Sequence, residues 1–115
     1  PELRDYLFHV PNGGKRNKRE AARMKGMGVR AGVHDYFLPI ARGMYHGLSI
    51  ELKPDVQDKK PSVSPTQRVW RDKLRDQDYA AYIIHGWQQA FEIMKLYLRL
   101  EPGEWMQIAR EDEIV

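Results

Sequence analysis

The sequence predicts an α/β domain, and three observations carry that prediction. Gly47 to Lys53 alternates apolar and polar residues with the period of two expected of a strand. Asp78 to Gly86 reads as a buried strand and runs straight into Trp87, Ala90, Phe91, Met94, Tyr97 and Leu98, which recur at helical spacing. With 115 residues, 42% of them hydrophobic, the chain is long enough for one core and too short for two.

The elements follow in order. Pro1 to Asp5 reads as the end of a helix or a loop, and Tyr6 to Val10 as a short strand broken by Pro11-Asn12-Gly13-Gly14. Glycine lets a backbone approach a ligand closely, so Asn12 and Gly13 either present amides to a phosphate or form a plain turn. A helix is predicted over Asn17 to Met27, with Ala21, Ala22, Met24 and Met27 as a small apolar face and Gly28 as its stop signal. Val33 to Ile40, opened by Gly28 and Gly32 and rich in aromatic and branched residues, reads as a strand. Residues Ala41 to His46 would join it to Gly47–Lys53 as a hairpin. Pro54 to Val63 is a polar loop bordering that hairpin. Ser64-Pro65-Thr66-Gln67 then has the grammar of a helix start, with serine as cap, proline first and glutamine third. Gln67, Trp70 and Leu74 share one stripe of that helix, which gives Gln67 two readings, helix cap and inward-facing site residue. After the last helix, Glu101-Pro102-Gly103 is a stop, and residues 101–115 form an acidic extension with Trp105, Met106 and Ile108 as a small docking turn.

Charge is distributed unevenly. The formal net charge is +3, yet residues 1–100 carry 18 bases against 11 acids, leaving the body at +7. Most of the excess lies between Lys15 and Arg30, where Lys15, Arg16, Lys18, Arg19, Arg23, Lys25 and Arg30 face one acid, Glu20. A basic stripe on one element is the electrostatic footprint of nucleic-acid binding; a merely solvated basic helix is the bland alternative. No apolar run approaches the length needed to cross a membrane. The absence of cysteine excludes disulfides and thiolate metal sites, and with no signal peptide at Pro1 an intracellular setting is expected. His9, His34, His46 and His85 lack the spacing of helical zinc motifs and read as structural.

Chemistry concentrates in the hairpin. Side chains two apart on a strand share a face, so Glu51 and Lys53 are offered together, and Asp35 near the start of one strand can lie beside Glu51 near the end of the other. Paired carboxylates supply the hard oxygen ligands Mg²⁺ prefers, and an adjacent lysine can hold or help deprotonate an attacking water. A bare Glu-x-Lys is more often a solvated pair. Asp35, Gly47, the apolar flanks and Ser64–Gln67 make it a constellation.

Four stretches arrive in a recognisable order: Phe8-His9-Val10-Pro11-Asn12-Gly13-Gly14, Gly28-Val29-Arg30-Ala31-Gly32-Val33-His34-Asp35, Gly47-Leu48-Ser49-Ile50-Glu51-Leu52-Lys53 and Ser64-Pro65-Thr66-Gln67. Over about residues 7 to 100 the chain resembles the virus-type replication-repair nuclease family, a branch of the PD-(D/E)xK superfamily that includes the nuclease domain of the Fanconi-associated nuclease. The resemblance implies a restriction-endonuclease-like core, with a central mixed β-sheet flanked by helices. It implies a structure-selective DNA endonuclease dependent on Mg²⁺ or Mn²⁺, acting on branched DNA such as Holliday junctions in replication, repair and recombination. Asp35 and Glu51 would hold the metal, the backbone carbonyl of Leu52 would add a ligand, Lys53 would orient or activate water, and Gln67 would steady Lys53 or the water. Asn12, Gly13, Lys15, Arg16, Lys18, Arg19, Arg23 and Lys25 would contact DNA. Stand-alone members resemble junction resolvases, which implies a homodimer, here in the cytoplasm of a bacterial or phage-infected cell. There are two departures. His34 stands where the family has proline, and the family's amino-terminal helix, with a further acidic residue, is expected upstream of Pro1. A different class remains as the alternative: a non-catalytic module that reads DNA structure.

Overall fold

The computed structural model describes residues 2–11, 18–54 and 63–108. Their order is α1 (Glu2–Tyr6), β1 (Phe8–His9), α2 (Lys18–Gly26), β2 (Tyr36–Leu38), β3 (Leu48–Lys53), α3 (Pro65–Asp76), β4 (Ala80–His85) and α4 (Trp87–Leu98). The strands form one mixed sheet in the order β1-β2-β3-β4. β1, β2 and β3 pair antiparallel, with Tyr36 opposite Ile50 and Leu38 opposite Leu48. β3 and β4 run parallel from Leu48 beside Ala80 to Lys53 beside His85. A parallel pair needs a crossover, and α3 supplies it.

Alternation along the strands separates the two faces. Leu48, Ile50, Ala80, Tyr82 and Ile84 join Ala90, Ile93, Met94 and Tyr97 of α4 in the apolar core, together with Leu38, Ile40 and Met106. Each large aliphatic side chain buried there contributes about 1.5–3 kcal/mol. The other face, carrying Ser49 and Glu51, lies under α3. Glu51 and Ser49 are buried as fully as the apolar residues, so the half-solvated strand expected from the alternation is in fact covered on both sides.

The strands are shorter than the sequence predicts, β4 losing Asp78, Tyr79 and Gly86, and two differ most. Tyr6 belongs to α1, leaving only Phe8 and His9 as strand. Val33, His34 and Asp35 lie outside β2 because Gly32, at φ +85, turns the chain against the first turn of α3, and Pro39 and Ile40 follow the strand. Ser64 caps α3 as expected, its hydroxyl accepting from the Gln67 amide at 3.2 Å.

The β2–β3 connection is strapped from outside. The Met44 amide donates to the Glu104 carbonyl at 2.9 Å, and the Met106 amide donates to the Tyr45 hydroxyl at 3.0 Å. Gly43 lies so close to Glu104 that a Cβ there would stand 2.4 Å from its carbonyl oxygen. Tyr97 adds a second tie, its buried hydroxyl donating to the Ile40 carbonyl at 2.6 Å; burial pushes its pKa up to about 12. The docking turn expected at Trp105, Met106 and Ile108 is thus a fastening for the hairpin. Residues 109–115, the rest of the acidic extension, lie outside the described residues.

Candidate active site

The site starts from a mismatch in strand length. Ala80 donates to the Gly47 carbonyl and Gly86 to the Lys53 carbonyl, so the odd-numbered residues of β3 turn their backbone groups toward β4 and the even-numbered ones toward β2. The β2 ladder stops at Tyr36 opposite Ile50. Leu52 lies beyond it, and its N–H is taken by Asp35 Oδ2 at 3.1 Å. N–H and C=O of one strand residue face the same side, so the Leu52 carbonyl opens on the edge where Asp35 sits. Asp35 is itself fixed through its backbone carbonyl, which accepts from the Val10 amide at 2.6 Å.

Glu51 is only 4% exposed, and a carboxylate so buried is costly unless paired and hydrogen-bonded. Gln67 Nε2 donates to its Oε2 at 3.1 Å, and Lys53 Nζ lies 3.6 Å from the same oxygen. Burial, followed by the negative charge of Asp35 beside it, pushes the Glu51 carboxyl up to about 7 against the pull of Lys53. Two carboxyl groups therefore converge where a proton is easily exchanged near neutrality.

Gln67 fulfils both of its readings. Its Oε1 accepts from the Ser64 amide at 3.0 Å, completing the capping box, while its Nε2 reaches Glu51. One side-chain amide thus fastens the start of α3 to the carboxylate. His34 fastens the same turn from below. It is 1% exposed, its Nε2 donates to the Gln67 carbonyl at 3.3 Å, and its Nδ1 accepts from the Ser49 hydroxyl at 2.9 Å. A carbonyl can only accept, which fixes that tautomer; burial lowers the imidazole to about 4 and keeps it neutral. Gly32 completes the fit, because a Cβ there would lie 2.4 Å from the Thr66 backbone.

The carboxylates lie in a cleft of about 760 Å³ between α2 and α3, whose lining includes Lys25, Arg30, Trp70 and Lys73. Of the basic residues predicted for DNA, Lys18, Arg19, Arg23 and Lys25 are exposed on α2. Asn12, Gly13, Lys15 and Arg16 lie outside the described residues. The structure brings Asp35, Glu51, Leu52, Lys53 and Gln67 together. Sequence reasoning missed His34 as the tie between β3 and α3; its one signal was the departure from proline. It also missed Lys73, which lines the cleft from α3, the helix that carries Gln67.

The donors suit a hard divalent cation: two carboxylates and an open backbone carbonyl, all oxygen. No group of three or more His, Cys, Asp or Glu able to hold a metal occurs among the described residues. Mg²⁺ usually takes only one or two carboxylates from protein, with waters and phosphate completing its shell, so the pair is a sufficient donor set. No described helix is long and apolar enough to cross a membrane.

Neither a protein-family model nor a curated protein matches the chain. Among solved structures, a VRR_NUC domain protein superposes with a TM-score of 0.76 at 34% sequence identity, over 92% of this chain and 79% of that one. With that identity over that share of both chains, the chain belongs to the VRR_NUC family, the virus-type replication-repair nucleases of the PD-(D/E)xK type.

Proposed function

We propose that the protein is a divalent-metal-dependent, structure-selective DNA endonuclease that hydrolyses phosphodiester bonds of branched DNA, four-way junctions included, as a homodimer. The observation that carries this reading is Glu51, buried at the cleft floor beside Asp35 and gripped through one oxygen by both Gln67 and Lys53. Asp35, Glu51 and the Leu52 carbonyl would hold Mg²⁺ or Mn²⁺, which when bound supplies Lewis-acid stabilisation of charge developing on the phosphate.

The chain's own groups divide the remaining work. Lys53, anchored to Glu51 and only 14% exposed along its side chain, positions a water for attack on phosphorus and offsets the negative charge that accumulates there. Gln67 holds Glu51 in one orientation through Oε2, leaving its second oxygen for the metal. Lys18, Arg19, Arg23 and Lys25 neutralise phosphates along α2, and Lys73 does so from the opposite wall. A C2 pair places two such sites on two strands, which resolution of a junction requires, and C2 dimers are the commonest assembly.

The deciding experiment is cleavage of duplex, flap, splayed-arm and four-way DNA with Mg²⁺, Mn²⁺ or chelator. Metal-dependent cleavage with preference for a branched substrate is expected. Asp35→Ala and Glu51→Ala should each abolish cleavage and weaken Mn²⁺ binding while DNA binding in chelator survives. Full activity of Asp35→Ala would overturn the site assignment. DNA binding with no cleavage under any metal would favour the non-catalytic structure-reading module.

A further inference from the structure

Trp87 is the most exposed large apolar side chain among the described residues, at 68%. Its position ties it to the site. Gly86 donates to the Lys53 carbonyl at 2.8 Å, so the indole follows directly on the residue hydrogen-bonded to the proposed catalytic lysine. A cavity of about 480 Å³ opens there, lined by Leu52, Lys53, Pro54, Gly86, Trp87 and Gln88. Two of those six residues belong to the candidate active site.

Of the other exposed aromatics, Tyr6 lies away from this cavity and the rest are engaged. Phe8 meets Phe37 edge-on, Trp105 meets Tyr45 edge-on, and Phe91 lies beneath the Lys95 ammonium. No ring or cation contact involves Trp87 among the described residues. A large rigid aromatic surface beside a phosphodiester-cleaving centre matches a specific chemical partner, because every nucleobase has a π-face and stacks on indole irrespective of sequence. A base inside a duplex has both faces occupied by its neighbours, whereas a splayed base can be taken up by an aromatic side chain.

We propose that the cavity between Lys53 and Trp87 is a subsite for one unpaired nucleobase, which stacks on Trp87 next to the phosphate held at Asp35, Glu51 and Lys53. This rests on the nuclease reading and deepens it: the branched substrate is selected by an unstacked nucleotide at the branch as well as by its overall shape. Occupation of the same surface by a protein partner is the competing outcome of the test. The nucleobase is favoured because Leu52 and Lys53 of the active site form part of the cavity wall, where a protein partner would obstruct the substrate.

The test is fluorescence anisotropy in chelator, so that binding is read without cleavage. The probe is a labelled splayed-arm DNA and a series in which each of the four unpaired nucleotides nearest the branch is made abasic in turn. For the native sequence, one abasic position should weaken binding about 5- to 150-fold, the span expected for loss of one aromatic stack. Trp87→Ala should bind every member of the series at that weakened level, and Trp87→Phe should recover most of the discrimination. Indifference of the native protein to every abasic position, or unchanged discrimination in Trp87→Ala, overturns the subsite while leaving the nuclease reading standing. Failure to bind any DNA overturns both. If Trp87→Ala loses self-association in the ultracentrifuge yet keeps its base discrimination, the indole belongs to a protein contact and the proposal is wrong.

Discussion

Replacing Gln67 by glutamate keeps one arm of this side chain and inverts the other. A carboxylate oxygen can still accept from the Ser64 amide, now at 3.0 Å, so the cap of α3 survives. The second oxygen, however, lands where Nε2 now donates to Glu51 Oε2 at 3.1 Å. Two unit charges that close repel by about 5 kcal/mol at an effective dielectric of about 20. Taking up a proton costs only about 1.4 kcal/mol per unit of pH above the pKa, so the pair retains a proton instead of bearing the repulsion. Glu51, already near 7, should be carried upward, and a protonated carboxyl is a poor metal ligand. Because Glu51 is already about half protonated at pH 7, a further rise of about 1–2 units corresponds to Mn²⁺ binding weakened roughly 5- to 50-fold at that pH. Calorimetric titration with Mn²⁺ between pH 6 and 9 measures this directly, with cleavage following the same curve. Thermal stability at pH 6, where Glu51 holds its proton in the native protein, should change by less than about 1 kcal/mol, because the cap is intact. Equal or tighter Mn²⁺ binding at pH 7 would refute the argument, since it would mean that the new carboxylate serves as a ligand or never meets Glu51.

The remaining predictions concern the frame around that contact. Gly32→Ala should lose about 2–5 kcal/mol in urea unfolding, because it combines a left-handed backbone with a Cβ forced against Thr66. His34 is held near 4 against an ordinary 6.5, so the unfolded chain takes up its proton first as pH falls. Its contribution, on the order of 3 kcal/mol, is present above about pH 6.5 and lost toward pH 4; His34→Gln should flatten that limb of a urea-stability profile, and an unchanged profile would refute the assignment. Arg19→Gln combined with Lys25→Gln should reduce the slope of log DNA affinity against log salt by up to about 2. An unchanged slope would move the DNA face away from α2.

Local grammar was legible where local chemistry decides the outcome. The cap Ser64, the proline at the first helical position and Gln67 at the third define α3 within four residues, and the alternation of β3 shows that Glu51 and Lys53 share a face. That Asp35 reaches this face followed from pairing the two hairpin strands. What sequence alone could not show is non-local. Val33 and His34 have strand-like neighbours, but Gly32 packs on Thr66 and the imidazole is drawn between Ser49 and Gln67, contacts 15 and 33 residues distant. Alternation likewise suggested a wet face for Glu51, because periodicity does not report what covers a strand. α3 covers it, and Gln67 and Lys53 supply the pairing that makes a buried carboxylate tolerable. The dual role of Gln67 was visible as two competing readings, and the geometry of one amide satisfies both.

The strap over the β2–β3 connection has a consequence for the order of assembly during synthesis. Tyr97 closes on Ile40 across 57 residues, and Met106 on Tyr45 across 61. Asp35, just before β2, and Glu51 in β3 therefore leave the ribosome well before the segment that seals the far end of the hairpin. Closing such long loops costs entropy before the contacts return it, so the nascent hairpin must wait, with Leu38, Ile40 and Leu48 still uncovered, until α4 and residues 104–106 emerge. The carboxylate pair is thus among the earlier parts of the site to be made, and its geometry is set only when nearly all of the described chain is free to fold.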